Sequence, residues 1–537
     1  MFTSKTPLMT LLRQAYRLAI DAERTQIPAD ELVGQLIEQQ SRRAFLRSSG
    51  QMALAAGGLA ALSSCRSDDL APVQPARNAR LSTSGPSVAI IGAGIAGLHA
   101  AHTLAKRGFG NFTIYEGANV IGGRIRTAKN LLATGLATEL GGEFIDSGHA
   151  DMLQLAQEFG LPLLDTQAPS ETALIKDAYF FNGRLYSLAQ IVSAFRPIAS
   201  RIQADIDQLP DSVDYTTTSG PGLRFDWLSI SEYLLIIGAP GLIRSLLTVA
   251  YETEFGLSCD VQTALNLLTL ISTDTSGGQF EVFGDSDERY KIEGGNQQIV
   301  DRLAGLYQDS IKTGAVLRAV TTYGTKLDLV FDGCATVRAD YVLLTLPFTK
   351  LRQVQLNVSL PTRKRRAIWE LGYGTNAKLL LGFSNRPWRS QSYSGYVFSD
   401  NGLQSGWDNS QLQAGSSGGF TVYTGGVTGT LLGVGSAALQ AQYYLPKLNQ
   451  IFPGASARYN GRAERFHWPS SPFALGSYAC YTVGQKTSFG GAEGESVNNL
   501  FFAGEHCSAD YQGYMNGGAE TGRDAAEKIL EAIGVIA

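Results

Sequence analysis

Val88-Ala89-Ile90-Ile91-Gly92-Ala93-Gly94-Ile95-Ala96-Gly97 is an apolar tetrad running without a break into a GxGxxG turn, and Leu98 to Arg107 continues with helical spacing. A glycine triplet alone is weak evidence. With a buried strand before it and a helix after it, the triplet reads as the first βα unit of a dinucleotide-binding domain. Gly92 then permits the tight turn, Gly94 lets a pyrophosphate approach the backbone, and Gly97 lets the helix lie close on the strand. Ile95 and Ala96 open the helix whose N-terminus receives the phosphate. The next strand, Phe112-Thr113-Ile114-Tyr115, ends in Glu116, about 20 residues past the glycines, where a carboxylate accepts from the adenosine ribose hydroxyls. An acid there disfavours a 2′-phosphate, so NADP is not the expected nucleotide.

Around this unit the composition sets bounds. The chain has 537 residues, 44% of them apolar and 17% charged, enough for two globular domains with separate cores. A net charge of −4 gives no broad basic field, so nucleic acid is not an expected partner, nor is an anionic membrane surface for the folded body. The 60 glycines are more than the usual ~7% and suggest backbone packed against a ligand or many turns. Five cysteines show no CxxC pairing, and the one close histidine pair, His99 and His102, sits at i, i+3 on the first helix. Neither a disulfide framework nor a metal site is expected, and the two histidines read as packing residues.

The first 86 residues have another character. Ser41-Arg42-Arg43-Ala44-Phe45-Leu46-Arg47 precedes an Ala/Gly-rich apolar run from Met52 to Leu62, which resembles a twin-arginine export leader. The run is too short for a stable membrane span. Leu62-Ser63-Ser64-Cys65 resembles a lipobox, in which Cys65 becomes a lipid anchor; a chance cysteine after a cleavage site is the alternative. Residues 1–40 carry helical apolar spacing at Leu8, Leu11, Leu12, Ala15 and Leu18, with no function assigned. From Arg66 to Pro86 the chain reads as a flexible linker. The twin-arginine machinery is thus an expected partner, and the mature protein is expected in the periplasm, secreted, or anchored at Cys65. That route carries folded proteins, which suits an enzyme that loads its cofactor before leaving the cytoplasm.

Gly122-Gly123-Arg124 follows six residues after Glu116, and Glu139-Leu140-Gly141-Gly142-Glu143-Phe144-Ile145 comes next. Here the chain resembles the flavin-containing amine oxidase family, of monoamine oxidase and L-amino acid oxidase type, and the resemblance runs from about residue 87 to the C-terminus. It implies FAD, with Gly123 and Arg124 along the cofactor and Gly141, Gly142 and Glu143 close to the flavin. Lys291-Ile292-Glu293-Gly294-Gly295-Asn296 and the apolar strand around Val316 to Val320 match the return from the substrate domain, with Val320 implied as a backbone contact to adenine. Tyr341 to Pro347 resembles the strand leading back out. The most specific match is Phe501-Phe502-Ala503-Gly504-Glu505-His506 with Gly513-Tyr514-Met515-Asn516-Gly517-Gly518-Ala519-Glu520 and a helix to about Ile533. The resemblance implies that Gly504 and Gly513 flank the flavin, that Glu505 holds a ribityl hydroxyl, and that the Met515 amide donates to the flavin C2 carbonyl. A helix N-terminus aimed there stabilises negative charge on reduced flavin.

The resemblance also implies three catalytic residues. Tyr478 and Tyr514 match the two rings that stand perpendicular to the flavin and sandwich the amine, and Lys378 matches the lysine that reaches flavin N5 through a water. Pro387-Trp388 downstream supports that register. Ser477 stands where some relatives carry the cysteine that bonds to the flavin, so FAD is expected to be non-covalent. Phe144 stands where venom-type L-amino acid oxidases carry an arginine for the substrate carboxylate, which puts carboxylate recognition in doubt. Glu143, Asp146 and His149 share that turn, where an acid would suit a second ammonium.

The expected fold is α/β (α+β): a discontinuous Rossmann-like FAD domain from 86–150, 286–350 and 468–537, with a mixed helix-and-sheet substrate domain from 151–285, helical for example from Ile230 to Tyr251, and 351–467. The expected reaction is oxidative deamination of an amine, read as a primary amine, with O2 as acceptor and imine or aldehyde, ammonia and H2O2 as products. An L-amino acid oxidase is the alternative within the family. A non-catalytic FAD-bearing surface protein is the alternative outside it, and Lys378, Tyr478 and Tyr514 together speak against that. The sequence identifies neither the amine nor the oligomeric state, with a homodimer among the states compatible with it.

Overall fold

Alternate side chains of Val88–Ile91 enter different cores, which is why four consecutive apolar residues are needed there. Val88 and Ile90 pack with Leu98, Leu104 and Ile529, whereas Ala89 and Ile91 pack with Val320, Leu329 and Val342 on the other face. The structure is a computed structural model and describes residues 85–536. The twin-arginine segment, Cys65 and nearly all of the linker lie outside the described residues.

Val88–Ile91 is the middle strand of a five-stranded parallel sheet, in the order Leu500–Phe502, Tyr341–Leu344, Val88–Ile91, Phe112–Tyr115, Ile311–Lys312. Its register pairs Val88 with both Tyr341 and Phe112. One sheet thus holds strands from opposite ends of the chain, with Leu500–Phe502 at an edge and Val88–Ile91 at the centre. Two helices, Ile95–Lys106 and Met515–Ile533, cover one face. They approach closely because Gly522 has no side chain: a Cβ there would lie 2.1 Å from the Ala96 carbonyl oxygen. His99 donates to the Ala519 carbonyl and His102 bonds Tyr307 and Glu158, so both histidines tie this helix to its neighbours.

A four-stranded sheet, ordered Val337–Ala339, Lys326–Phe331, Leu317–Tyr323, Gln355–Asn357, lies against the other face. The third sheet has seven strands, ordered Tyr459–His467, Ala377–Phe383, Gly418–Thr424, Gln404–Asp408, Tyr393–Ser399, Ile175–Phe181, Arg184–Tyr186. Segments about 200 residues apart therefore share one sheet. The helices Leu188–Ile206, Ile230–Ile236, Gly241–Phe255 and Ala264–Leu268 share one core beside it. The stretch expected to be helical from Ile230 to Tyr251 forms two helices, Ile230–Ile236 and Gly241–Phe255. Gly238 adopts φ 68° and Pro240 caps the second, since proline cannot continue a helix and glycine takes the left-handed conformation that ends one. The class is α/β with mixed sheets, and among the described residues no helix is long and apolar enough to cross a membrane.

Candidate active site

At the GxGxxG turn, Gly92 has φ 113°, and a Cβ there would lie 2.4 Å from Thr345 Oγ1. A Cβ on Gly97 would lie 2.0 Å from the Gly92 carbonyl oxygen, so helix and turn are in backbone contact. Gly94 has only Gly123 Cα nearby, at 4.0 Å from its Cβ position, which leaves its outer side open to a ligand. Helix Ile95–Lys106 has no side-chain cap and no acid in its first turn. Its N–H groups and the positive end of its dipole suit a phosphate. Glu116 is fixed beside them, accepting from the Ala93 and Ala118 amides at 2.8 Å each, with lone pairs left for a ribose. Burial pushes its carboxyl above the usual range.

The Val320 expectation needs correction. Val320 is fully buried in mid-strand, paired with Leu329 on one side and Leu356 on the other. No ligand reaches its backbone through two flanking strands. Val316, just before that strand, packs near Gly117, with its Cγ2 3.7 Å from the Cβ position there, and is the valine adjacent to Glu116.

The second half of the site is built by residues more than 300 apart. Arg124 donates to Glu505 at 2.7 Å and to the Ser477 carbonyl at 2.8 Å. Glu505 also accepts from the Gly513 amide at 2.9 Å. Gly141 and Gly142 are glycines for lack of room: a Cβ would sit 1.9 Å from the Arg124 carbonyl oxygen in the first case and 2.6 Å from Met515 Cγ in the second. Met515 opens the helix Met515–Ile533, again with no side-chain cap and no first-turn acid. His506 is buried with neither ring nitrogen hydrogen-bonded, and burial together with Arg124 and Lys364 holds its pKa well below the usual value. Two uncapped helix N-termini, an open glycine turn between them and an orphaned buried imidazole together fit a dinucleotide carrying an electron-accepting ring. Ser477 turns its hydroxyl to Asn376 at 2.6 Å, and Cys480 lies buried against Asn266.

Lys378 is buried, and its ammonium donates to the Glu139 carbonyl at 3.2 Å, the Gly141 carbonyl at 2.9 Å and Glu143 Oε2 at 2.9 Å. Those are its three N–H groups, so the water bridge expected of it requires one of these bonds to give way. Glu143 is correspondingly a lysine partner: Lys291 lies 3.6 Å from its other oxygen. Expected as a cofactor contact or as a place for a second ammonium, Glu143 already holds two cations. Asp146 is likewise engaged by Ser286 at 2.8 Å, the Glu288 amide at 3.1 Å and His149 at 3.5 Å.

Tyr478 and Tyr514 converge on one residue that the sequence did not single out. The Tyr514 hydroxyl bonds Glu254 Oε1 and Ser286 Oγ at 3.1 Å each, while the Tyr478 hydroxyl donates to the Glu254 carbonyl and shares a 2.9 Å bond with Tyr423. Trp407 packs on Tyr423, Tyr396 and Phe144 with its ring 5.2 Å from the Lys378 ammonium, and its buried indole N–H has no acceptor. Glu288, at φ 45°, completes the group. Burial, with Glu254 and Asp146 nearby, pushes its carboxyl up to about 8. Tyr423, Glu254, Glu288, Trp407 and Lys291 were not readable as site residues, although Lys291 lies within a motif that was.

A sequence profile for flavin containing amine oxidoreductases matches residues 95–530. Amine oxidase [flavin-containing] B of Cavia porcellus is 23% identical over 84% of this chain and 87% of its own length. A putative flavin-containing monoamine oxidase, AofH, of Mycobacterium tuberculosis is 22% identical over 58% of this chain and 68% of its own. Among solved structures, cyclohexylamine oxidase from Brevibacterium oxydans superposes with a TM-score of 0.73 at 20% identity, covering 84% of this chain and all of that one. Putrescine oxidase bound to putrescine gives 0.72 at 19% identity, over 83% and 99%. The match over most of the chain, together with the glycine turn, the two open helix ends and the Arg124–Glu505 bond, places this protein in the flavin-containing amine oxidoreductase family, as a flavin-dependent amine oxidase.

Proposed function

We propose that the substrate is a primary amine without a carboxylate, oxidised to an imine that hydrolyses to aldehyde and ammonia, with O2 as acceptor and H2O2 released. The observation that carries this is the surround of Tyr478 and Tyr514, where carboxyls of Glu254, Glu288 and Asp146 gather and Lys291 and Lys378 are bound to Glu143. Such a surround favours a cation on entry and disfavours an α-carboxylate. Proteins of similar fold are named for cyclohexylamine and putrescine oxidation, which agrees with it. A peroxide-release screen of purified protein against amines and the twenty amino acids tests it, and turnover confined to amino acids would refute it.

FAD supplies the two-electron acceptor when bound. The turn Gly92–Gly97, Glu116 and Arg124 would hold its adenosine and phosphates, and Glu505 and the Met515 amide its ribityl and ring. The chain's own residues do the rest. Tyr478 and Tyr514 orient the amine between rings braced by Glu254, and the substrate must react unprotonated. Glu288, held protonated at neutral pH by burial with a pKa of about 8, becomes able to take the ammonium proton as the pH rises to about 8 and above.

Two further proposals follow. The cofactor is non-covalent: Ser477 has no thiol, and Cys480 is buried on Asn266. Denatured protein is therefore expected to release intact FAD into the supernatant, and flavin left on the precipitate refutes this. The leader is a twin-arginine signal, so Arg42→Lys with Arg43→Lys should leave active, FAD-loaded enzyme in the cytoplasm, whereas unchanged export refutes the assignment.

A further inference from the structure

Lys378 does not stand as a single cation in this chain. Three segments far apart in sequence bring Glu143, Lys291 and Lys378 into one buried group, each about 5% exposed or less. Glu143 receives Lys378 on Oε2 at 2.9 Å and faces Lys291 with Oε1 at 3.6 Å. Each ammonium is also supported elsewhere. Lys378 bonds the carbonyls of Glu139 and Gly141 and lies 5.2 Å over Trp407. Lys291 bonds the Asn409 carbonyl at 3.4 Å and lies 5.5 Å over Phe144. The Glu139 carboxyl, pushed up to about 7 by burial, accepts from Thr127 and the Asn296 amide.

We infer that Lys291 and Glu143 are positioning residues forming a two-lysine clamp, and that the clamp as a whole, with its second cation on Lys291, sets the charge presented to the flavin. A lone Glu143–Lys378 pair would cancel the charge of Lys378. Sharing the carboxylate between two lysines leaves positive charge in the group, in full while the neighbouring Glu139 carboxyl is protonated and reduced as it ionises around pH 7. Burying a third charge is costly, and well-packed apolar residues commonly replace such groups without loss of stability, so stability alone is a poor reason for it. The location supplies a better one. Lys378 holds the Gly141 carbonyl, and the adjacent Gly142 packs directly on Met515 at the N-terminus of the last helix. Clamp and helix end therefore act on the same region with the same sign, favouring negative charge on whatever accepts electrons there.

The inference rests on the flavin reading, and the test separates the two. Holoenzyme is equilibrated with a redox dye of known potential, and midpoint potentials are compared for wild type, Lys291→Met and Glu143→Gln, with thermal unfolding followed in parallel. Removing the cation should make flavin reduction about tenfold less favourable, which is ~30 mV downward for a two-electron couple. Removing the anion should move it by a similar factor upward. Lys291→Arg should stay near wild type and serves, with Lys291→Gln, if the methionine variant folds poorly. Merely structural residues would give shifts of the same direction, or none, beside a loss of stability, and either result overturns the clamp. Protein that binds no flavin overturns the family-based site reading as well.

Discussion

Lys378→Met should slow reoxidation of the reduced flavin by O2 by roughly 10²-fold, the scale seen when one preorganised electrostatic donor is lost, while anaerobic reduction by amine changes much less. The first electron given to O2 creates negative charge near the flavin, and a cation there is preorganised for it. The amine reacts as a neutral molecule, so the same cation gains it little. Methionine keeps most of the side-chain volume, but it strands two carbonyls, of Glu139 and Gly141, and leaves Glu143 with Lys291 alone. Breaking a buried pair costs about 3–5 kcal/mol, so a lowered melting temperature is expected alongside the kinetic effect. Stopped-flow measurement of the two half-reactions separates these contributions. A variant slowed only in amine oxidation, with a normal O2 reaction, would show that Lys378 has been given the wrong role.

Arg124→Met should yield protein with less than about a tenth of the wild-type flavin content. Its guanidinium joins Glu505 to the carbonyl of Ser477, and Glu505 in turn anchors the Gly513 amide next to Tyr514. Without it a buried carboxylate keeps only backbone N–H partners, a loss of about 3 kcal/mol, and the loops that frame the flavin end separate. The flavin-to-protein absorbance ratio after purification measures the effect, and Arg124→Lys should recover it only in part because a lysine cannot make the forked contact. Full flavin content in the methionine variant would show that Arg124 does not hold the site together.

What was legible in the sequence is what backbone crowding demands. Gly92, Gly97, Gly141 and Gly142 are glycines because a Cβ would strike a neighbour at 2.6 Å or less, and such constraints appear as local motifs. The carboxyl lining was not legible. Glu254 lies on Gly241–Phe255 with no distinguishing pattern, and only the tertiary fold brings it to Tyr478 and Tyr514. The shared Glu143 likewise depends on residues 291 and 378, which no periodicity links. Val320 and Val316 stand four apart, so the alternation of a strand gives both the same face and cannot say which end meets the nucleotide. The break between the helices Ile230–Ile236 and Gly241–Phe255 is marked in the sequence by Gly238-Ala239-Pro240.

Anaerobic mixing of the purified protein with a panel of primary amines and amino acids, followed by admission of O2, tests the central claim most directly. The visible flavin absorbance should bleach with one or more carboxylate-free primary amines and not with amino acids, and O2 should restore it with release of peroxide. Bleaching by amino acids alone, or by no member of the panel, would contradict the account.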